Sequence, residues 1–346
     1  MKEGNYMSKY PFPKADLHLH LDGSFHIARL YALAVERGVE LPGGSEEGYR
    51  AYLNKHADAE SVNEYLEMFE GPTQVLQDHD SLAQITEDLI IHLEEKGVRY
   101  AEIRFAPQIH TRNGMTQSEA VQAVLDGRKS GLEKTKNIDV NIITCMMSFG
   151  PETVNWDQNM ETVEVCREYF SDEGVVALDL AGAEGFVPLS NFGPLFAKAR
   201  EYGLNIICHA GDSQDWETVR DAIDFGVTRV GHGHHIYENP ELVRLAAKKG
   251  IALEICPTSN IQCKTRETYA RHPAKNLLQM GIPVTINTDN MVMARVSLDD
   301  EYDHCLNEMG FTWNDLIQMN INSVNASFAK QEIKDKLIAE LKTYFK

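Results

Sequence analysis

Two histidines one residue apart, His18 and His20, close the short apolar run Ala15-Asp16-Leu17-His18-Leu19-His20. Alternate side chains of a strand share a face, so both imidazoles point one way while Leu17 and Leu19 point the other. Paired imidazoles at a strand end are half of a divalent-metal site. An isolated His-x-His is more often a pair of ordinary core or surface histidines, so further ligands must come from elsewhere. Three other strand-like runs supply them: Cys208-His209-Ala210-Gly211-Asp212, Gly231-His232-Gly233-His234-His235 and Asn287-Thr288-Asp289-Asn290. We read His18, His20, His209 and Asp289 as the ligand set. Three neutral imidazoles and one carboxylate suit Zn²⁺, one ion per chain, with a position left for water. The ion would bring the pKa of that water toward neutrality. His232 would orient or deprotonate the water, with Asp289 also accepting from it; the bland alternative for His232 is a supporting or structural imidazole. His234 and His235 lie past the strand end and read as loop histidines without an assigned role.

The elements that must position these residues are eight β-rich runs: Ala15–His20, Val98–Pro107, Val140–Met147, Val175–Ala181, Asn205–His209, Val227–Gly231, Ile251–Cys256 and Val284–Thr288. Most are dense in Val, Ile and Leu, as expected of parallel strands covered on both faces. Amphipathic stretches separate them: Ser81–Lys96, Ser118–Lys134, Asn191–Tyr202, Asp215–Phe225 and Pro240–Lys249. Repeated βα alternation predicts an α/β fold, a (β/α)8 TIM barrel, in which chemistry gathers at the carboxyl ends of the strands. The runner-up, a doubly wound open sheet with a dinucleotide crevice, lacks any G-x-G-x-x-G after a strand. Residues 21–97 are read as an insertion over the barrel mouth carrying extra helices such as His26–Arg37 and Val62–Phe69. Further helices, Asp299–Met309, Thr312–Asn325 and Ala329–Thr343, follow the eighth strand. The whole chain, 1–346, is read as a single barrel domain.

Composition narrows the partners. Lys and Arg number 33 against 52 Asp and Glu, a formal net charge of −19, with no basic stretch. Such a field repels polyanions, so neither nucleic acid nor an anionic membrane is an expected partner. It also mildly disfavours a phosphorylated small substrate. No apolar run is long enough to span a bilayer. Met1 to Pro13 lacks the apolar core of a signal peptide, and the six cysteines show no C-x-x-C spacing. A cytoplasmic enzyme is expected.

The string Pro13-Lys14-Ala15-Asp16-Leu17-His18-Leu19-His20-Leu21-Asp22-Gly23 resembles the opening signature of adenosine deaminases. The same order continues through Leu180-Ala181-Gly182, His209-Ala210-Gly211-Asp212, Arg229-Val230-Gly231-His232-Gly233 and Thr288-Asp289-Asn290, covering roughly residues 11–330. The resemblance implies a metal-dependent amidohydrolase with a mononuclear zinc, since the fourth strand ends without a bridging lysine. It implies addition of hydroxide to C6 of adenosine, or of 2′-deoxyadenosine, and loss of ammonia to give inosine, a step of purine salvage. It further implies that His232 handles hydroxide and proton, that Gly182 donates its backbone N–H to the purine, and that Asp22 reads the ribose. His20 would border the substrate as well as the metal. Val62, Tyr65 and Phe69 share one helical face and resemble the family's apolar lid, though such a stripe is more often ordinary packing.

Two positions depart from the family. Its fifth-strand motif ends in glutamate, the acid that protonates purine N1; here stands Asp212, shorter by roughly 1.5 Å. Misplacement of about 1 Å can cost about a hundredfold in rate, so Asp212→Glu is expected to maintain or raise kcat. Asn290 replaces a second aspartate; its amide donates to N7 without needing a raised pKa. The runner-up functions are a deaminase of another 6-aminopurine (adenine or a modified adenosine) and a catalytically weak nucleoside-binding relative. The H-x-E with P-C-x-x-C motif of cytidine-type deaminases is absent, and Cys256 reads as a buried strand end.

Overall fold

The computed structural model describes residues 8–149 and 154–346, the side chain of Val62 excepted. Eight strands run β1 Lys14–His20, β2 Val98–Phe105, β3 Asp139–Ser148, β4 Val175–Gly182, β5 Ile207–Ala210, β6 Arg229–His232, β7 Ala252–Ile255 and β8 Val284–Ile286. All pair in parallel, in the orders β1-β2-β3-β4 and β5-β6-β7-β8. Single bridges join the two arcs: Leu178 to Ile206 on one side, Leu19 to Asp289 on the other. The second is tight, with His20 N–H donating to Asp289 O at 2.7 Å and Asp289 N–H to His18 O at 2.8 Å. It closes the barrel at the point where two of the proposed ligands and the fourth sit.

Helices alternate with the strands as the (β/α)8 pattern requires: His79–Glu95, Gln117–Lys134, Trp156–Tyr169, Gly193–Glu201, Trp216–Phe225, Pro240–Lys249 and Ala274–Gln279. The first begins two residues before the expected Ser81, because Asp78 is the residue that caps it, accepting from Ser81 N–H at 2.8 Å. After β8 come Leu298–Asn307, Trp313–Ala326 and Gln331–Lys342. The insertion after β1 contains Ile27–Arg37, Glu46–His56 and Val62–Leu66 followed by a 3₁₀ turn, Glu67–Phe69. Periodicity did not single out Glu46–His56, a mostly polar helix started by the Ser45 hydroxyl, which accepts from Gly48 N–H.

On β1 the outward Leu17 and Leu19 are fully buried beneath the helical layer, while Asp16 and His18 are buried inside the barrel. The interior is not purely apolar. Arg104 donates to Asp179 Oδ2 (2.8 Å), Glu254 Oε2 (2.7 Å) and Leu17 O (2.6 Å). Arg229 donates to Glu254 Oε1 (2.6 Å) and Glu102 Oε2 (2.5 Å). All five side chains are fully buried. Buried charge of this kind adds little net stability over apolar packing but is costly to break. Here it forms a rigid polar floor under the mouth of the barrel.

Candidate active site

The proposed ligands converge. His20 Nε2 lies 3.3 Å from His209 Nε2 and 3.4 Å from Asp289 Oδ1, and His18 Nε2 lies 3.5 Å from the same oxygen. Bonds of about 2.0–2.1 Å at tetrahedral angles place donor atoms about 3.4 Å apart. His18 Nε2 is buried without a hydrogen-bond partner. A buried, orphaned nitrogen facing two further imidazoles and a carboxylate fits a divalent cation.

The back of each ring explains the front. His18 Nδ1 sits 2.9 Å from Glu254 Oε2, and His209 Nδ1 sits 3.0 Å from Asp179 Oδ2. A carboxylate only accepts, so Nδ1 carries the proton and Nε2 presents its lone pair to the cavity. Arg104 bonds both carboxylates from below. Burial holds the His18 and His20 pKa values below the imidazole range, so both rings are neutral. Burial acts the same way on His209, but Asp179 outweighs it and raises that pKa. Asp289 (φ 58°) and His232 (φ 59°) both adopt the left-handed region without being glycine, the kind of backbone strain that collects at functional sites.

One ring nitrogen of His232 comes within 4.8 Å of the His18 and Asp289 ligand atoms. Its Nδ1 is 3.1 Å from Asn260 Nδ2 and 3.8 Å from Asp212 Oδ1. Asp212 lines the same cavity, and its Oδ1 receives Asn260 Nδ2 (2.7 Å), Thr265 Oγ1 (3.0 Å) and His234 Nε2 (3.2 Å). Burial works to raise the Asp212 pKa; His232 and the hydrogen bond from His234 outweigh it, leaving the carboxyl below its usual range. Its loop is pinned by Glu184, which accepts from the backbone N–H groups of Gly211, Asp212, Ser213 and Gln214 at 2.7–3.1 Å.

The expectation for His234 is corrected. It is fully buried against Asp212, because the 3₁₀ turn His234–Glu238 folds its ring back under the β6 end. His235 does face outward, paired with Glu238. Sequence reading also passed over Asn260, Thr265, Glu184 and the floor carboxylates Asp179 and Glu254. The floor had a readable signal, since charged residues alternate within otherwise apolar strands (Glu102, Arg104). The loop residues had none.

The cavity, about 710 Å³, is lined by His20, Asp22, Gly182, His209, His232, Asp289 and Asn290 among others. Gly182 (φ 100°) sits where a Cβ would meet Ser148 O at 2.5 Å, so no side chain fits. A Cβ on Gly23 would run into the Asn290 side chain, which would then have to shift. Asn290 Oδ1 is buried without a partner. Burial pushes the Asp22 carboxyl up to about 6. Tyr65 and Phe69 line the roof; Val62 lies outside the described side chains. Cys256 is buried at the end of β7, as expected. Among the described lining residues, Arg112 is the one Lys or Arg, and Glu70 holds it at 2.9 and 3.3 Å.

The chain resembles known deaminases in sequence and in fold. A sequence model of the family described as adenosine deaminase matches residues 13–344. The chain is 38% identical to an adenosine deaminase from Haemophilus ducreyi, over 94% of each chain. Among solved structures it superposes on an adenine deaminase from Arthrobacter aurescens with TM-score 0.87 at 26% identity, covering 96% of this chain and 98% of the other. It also superposes on an Arabidopsis N6-mAMP deaminase with TM-score 0.83 at 26% identity, covering 96% and 98%.

Proposed function

The chain belongs to the adenosine deaminase family and is a hydrolytic deaminase, and from that premise we propose that it converts adenosine, and 2′-deoxyadenosine with it, to inosine and ammonia in purine salvage. The observation that carries the reading is the meeting in one cavity of an acid, Asp212, with His232, His20, His209 and Asp289 beside the buried His18. His18, His20 and His209 bring ligand atoms within 4.8 Å of one another, and Asp289 Oδ1 lies 3.4–3.5 Å from His20 and His18. We assign that cluster to one zinc ion per chain. A divalent ion supplies Lewis acidity there, making water nucleophilic near neutral pH.

The protein's own groups do the rest. Asn260 donates to His232 Nδ1, so in the neutral ring Nε2 carries the proton and is left to orient the attacking oxygen. The attacking water gives one proton to Asp289 as its oxygen bonds to C6 and Asp212 gives its own proton to N1. Asp289 then passes its proton to N6, C6 becomes a carbonyl as the C6–N6 bond breaks to release ammonia, and the remaining hydroxyl proton restores Asp212. Substrate filling the cavity removes water from around Asp212, which favours the protonated acid this step needs. Asn290 donates its amide N–H to N7, Gly182 its backbone N–H to the purine, and Asp22 accepts from a ribose hydroxyl.

A nucleoside is favoured over a nucleotide because Arg112, the Lys/Arg among the described lining residues, is already paired, and Asp22, Glu67, Glu70 and Glu184 share that lining. The Arabidopsis relative, by contrast, is a deaminase of N6-mAMP. No described helix is long and apolar enough to cross a membrane. We take the setting to be cytoplasmic, in keeping with six free cysteines, and residues 1–346 to be one barrel domain, in keeping with two four-stranded arcs bridged at both edges. Zinc-loaded protein should deplete adenosine, followed by loss of adenine absorbance. Turnover of adenine, AMP or an N6-substituted adenosine with none of adenosine would redirect the substrate. Binding without turnover of any would leave a nucleoside-binding protein.

A further inference from the structure

Asp212 is one methylene shorter than the acid its family carries, and the hydrogen bonds around it have a common terminus. Ala274 N–H donates to His272 Nδ1 (3.2 Å), so His272 carries its proton on Nε2, which faces Asn260 Oδ1 at 3.2 Å. That fixes the orientation of the Asn260 amide, leaving Nδ2 to donate to Asp212 Oδ1 and His232 Nδ1. In parallel, Arg266 Nε–H donates to His234 Nδ1 (2.8 Å), so His234 also carries its proton on Nε2, toward Asp212 Oδ1. Thr265 Oγ1–H has two acceptors in reach, Asp212 Oδ1 (3.0 Å) and Asn260 O (3.1 Å), and the carboxylate is the stronger. The turn that brings Thr265 there passes through Lys264 at φ 60°.

Every donor to the carboxyl thus meets Oδ1, whereas Oδ2 receives no hydrogen bond among the described residues, and Asp212 lines the cavity. An oxygen already accepting from an amide, an imidazole N–H and a hydroxyl has no room for a proton of its own. We propose that His234 and Thr265 are positioning residues that hold the short Asp212 acid by Oδ1, so that the transferable proton sits on Oδ2 and faces the substrate's ring nitrogen. The inference rests on the deaminase reading above and deepens it. It also turns the expectation for Asp212→Glu around: the pocket is built to the length of aspartate, and an added methylene displaces the carboxyl from all three donors.

Steady-state kinetics on Thr265→Val, Thr265→Ser, His234→Ala and Asp212→Glu test this, with bound metal measured for each. Losing one of the contacts that hold Oδ1 lets the acid shift from its place, and this should lower kcat about 10- to 100-fold in Thr265→Val and His234→Ala. KM should move less than about threefold and metal content should hold, since the contact acts on the proton-transfer step. Thr265→Ser, which keeps the hydroxyl, should recover most of the rate, and Asp212→Glu should lose about a hundredfold. Should His234→Ala fail to fold, the isosteric Thr265→Val with its serine rescue decides. Unchanged kcat in Thr265→Val, a loss confined to KM, failure of serine to rescue, or a gain in Asp212→Glu would each overturn the positioning role. Absence of adenosine turnover by the unaltered protein would instead defeat the substrate reading. The same variants are then compared on whichever aminopurine is deaminated; if none is, both inferences fall.

Discussion

Two groups of histidines flank the cavity and use one device to opposite ends. At the barrel floor, His18 and His209 back their Nδ1 atoms onto carboxylates, Glu254 and Asp179. At the β6–β7 side, His234 and His272 back theirs onto donors, Arg266 Nε–H and Ala274 N–H. The first arrangement pushes the proton to the back and turns a lone pair inward, suited to a cation. The second pushes the proton to the front and turns an N–H inward, from His234 to the Asp212 carboxylate and from His272 to the Asn260 amide oxygen. Imidazole chemistry is the same in both groups; the atom behind the ring decides whether it accepts a metal or braces an acid.

Deleting a front atom should have the largest effect. His209→Ala should reduce bound zinc from about one equivalent per chain to none by metal analysis; unaltered content would remove His209 from the ligand set. Changing what stands behind that ring is milder. Asp179→Asn lets an amide N–H face Nδ1 and turn a proton toward the cavity, so metal affinity measured by chelator competition should weaken about 10- to 100-fold. On the other side, Arg266→Met removes the donor that fixes the His234 tautomer. Deaminase kcat should fall by roughly threefold to tenfold with bound metal unchanged; a matching loss of metal would mean the two groups are not independent.

His110 sharpens the contrast from outside the cavity. Its Nδ1 faces Leu76 O at 2.7 Å, as in the floor tautomer, but its buried Nε2 has no partner. Burial lowers its pKa from 6.5 to about 4. The unfolded chain therefore binds this proton first on acidification. The contribution is intact above pH 6.5 and is lost as pH falls toward 4, on the order of 3 kcal/mol in total. Chemical-denaturation midpoints of His110→Gln should lose less stability than the parent across that window. Equal slopes would show that His110 does not govern it.

Much of the fold was legible because parallel strands buried on both faces leave long Val, Ile and Leu runs, and amphipathic helices between them restore polarity. Strand ends agreed to within about two residues. Helix starts were less legible, as at His79–Glu95, which the sequence pattern opens at Ser81 but which Asp78 caps from further upstream. The convergence of His18, His20, His209 and Asp289 was legible for a topological reason: barrel geometry sends every strand's carboxyl end to one rim. His234 was misread for the converse reason. A residue two positions past a strand end follows the turn, and local spacing does not encode which way a 3₁₀ turn folds.

What the sequence by itself determined, then, is the alternation, the rim and the identity of the polar groups on it. Those follow from periodicity and residue chemistry, which are local. Only the tertiary structure decided which nitrogen of each ring faces the cavity and which oxygen of Asp212 is left without a donor. Proton placement depends on the partner behind each group. Those partners, Glu254 for His18 and Arg266 for His234, lie 236 and 32 residues away in the chain.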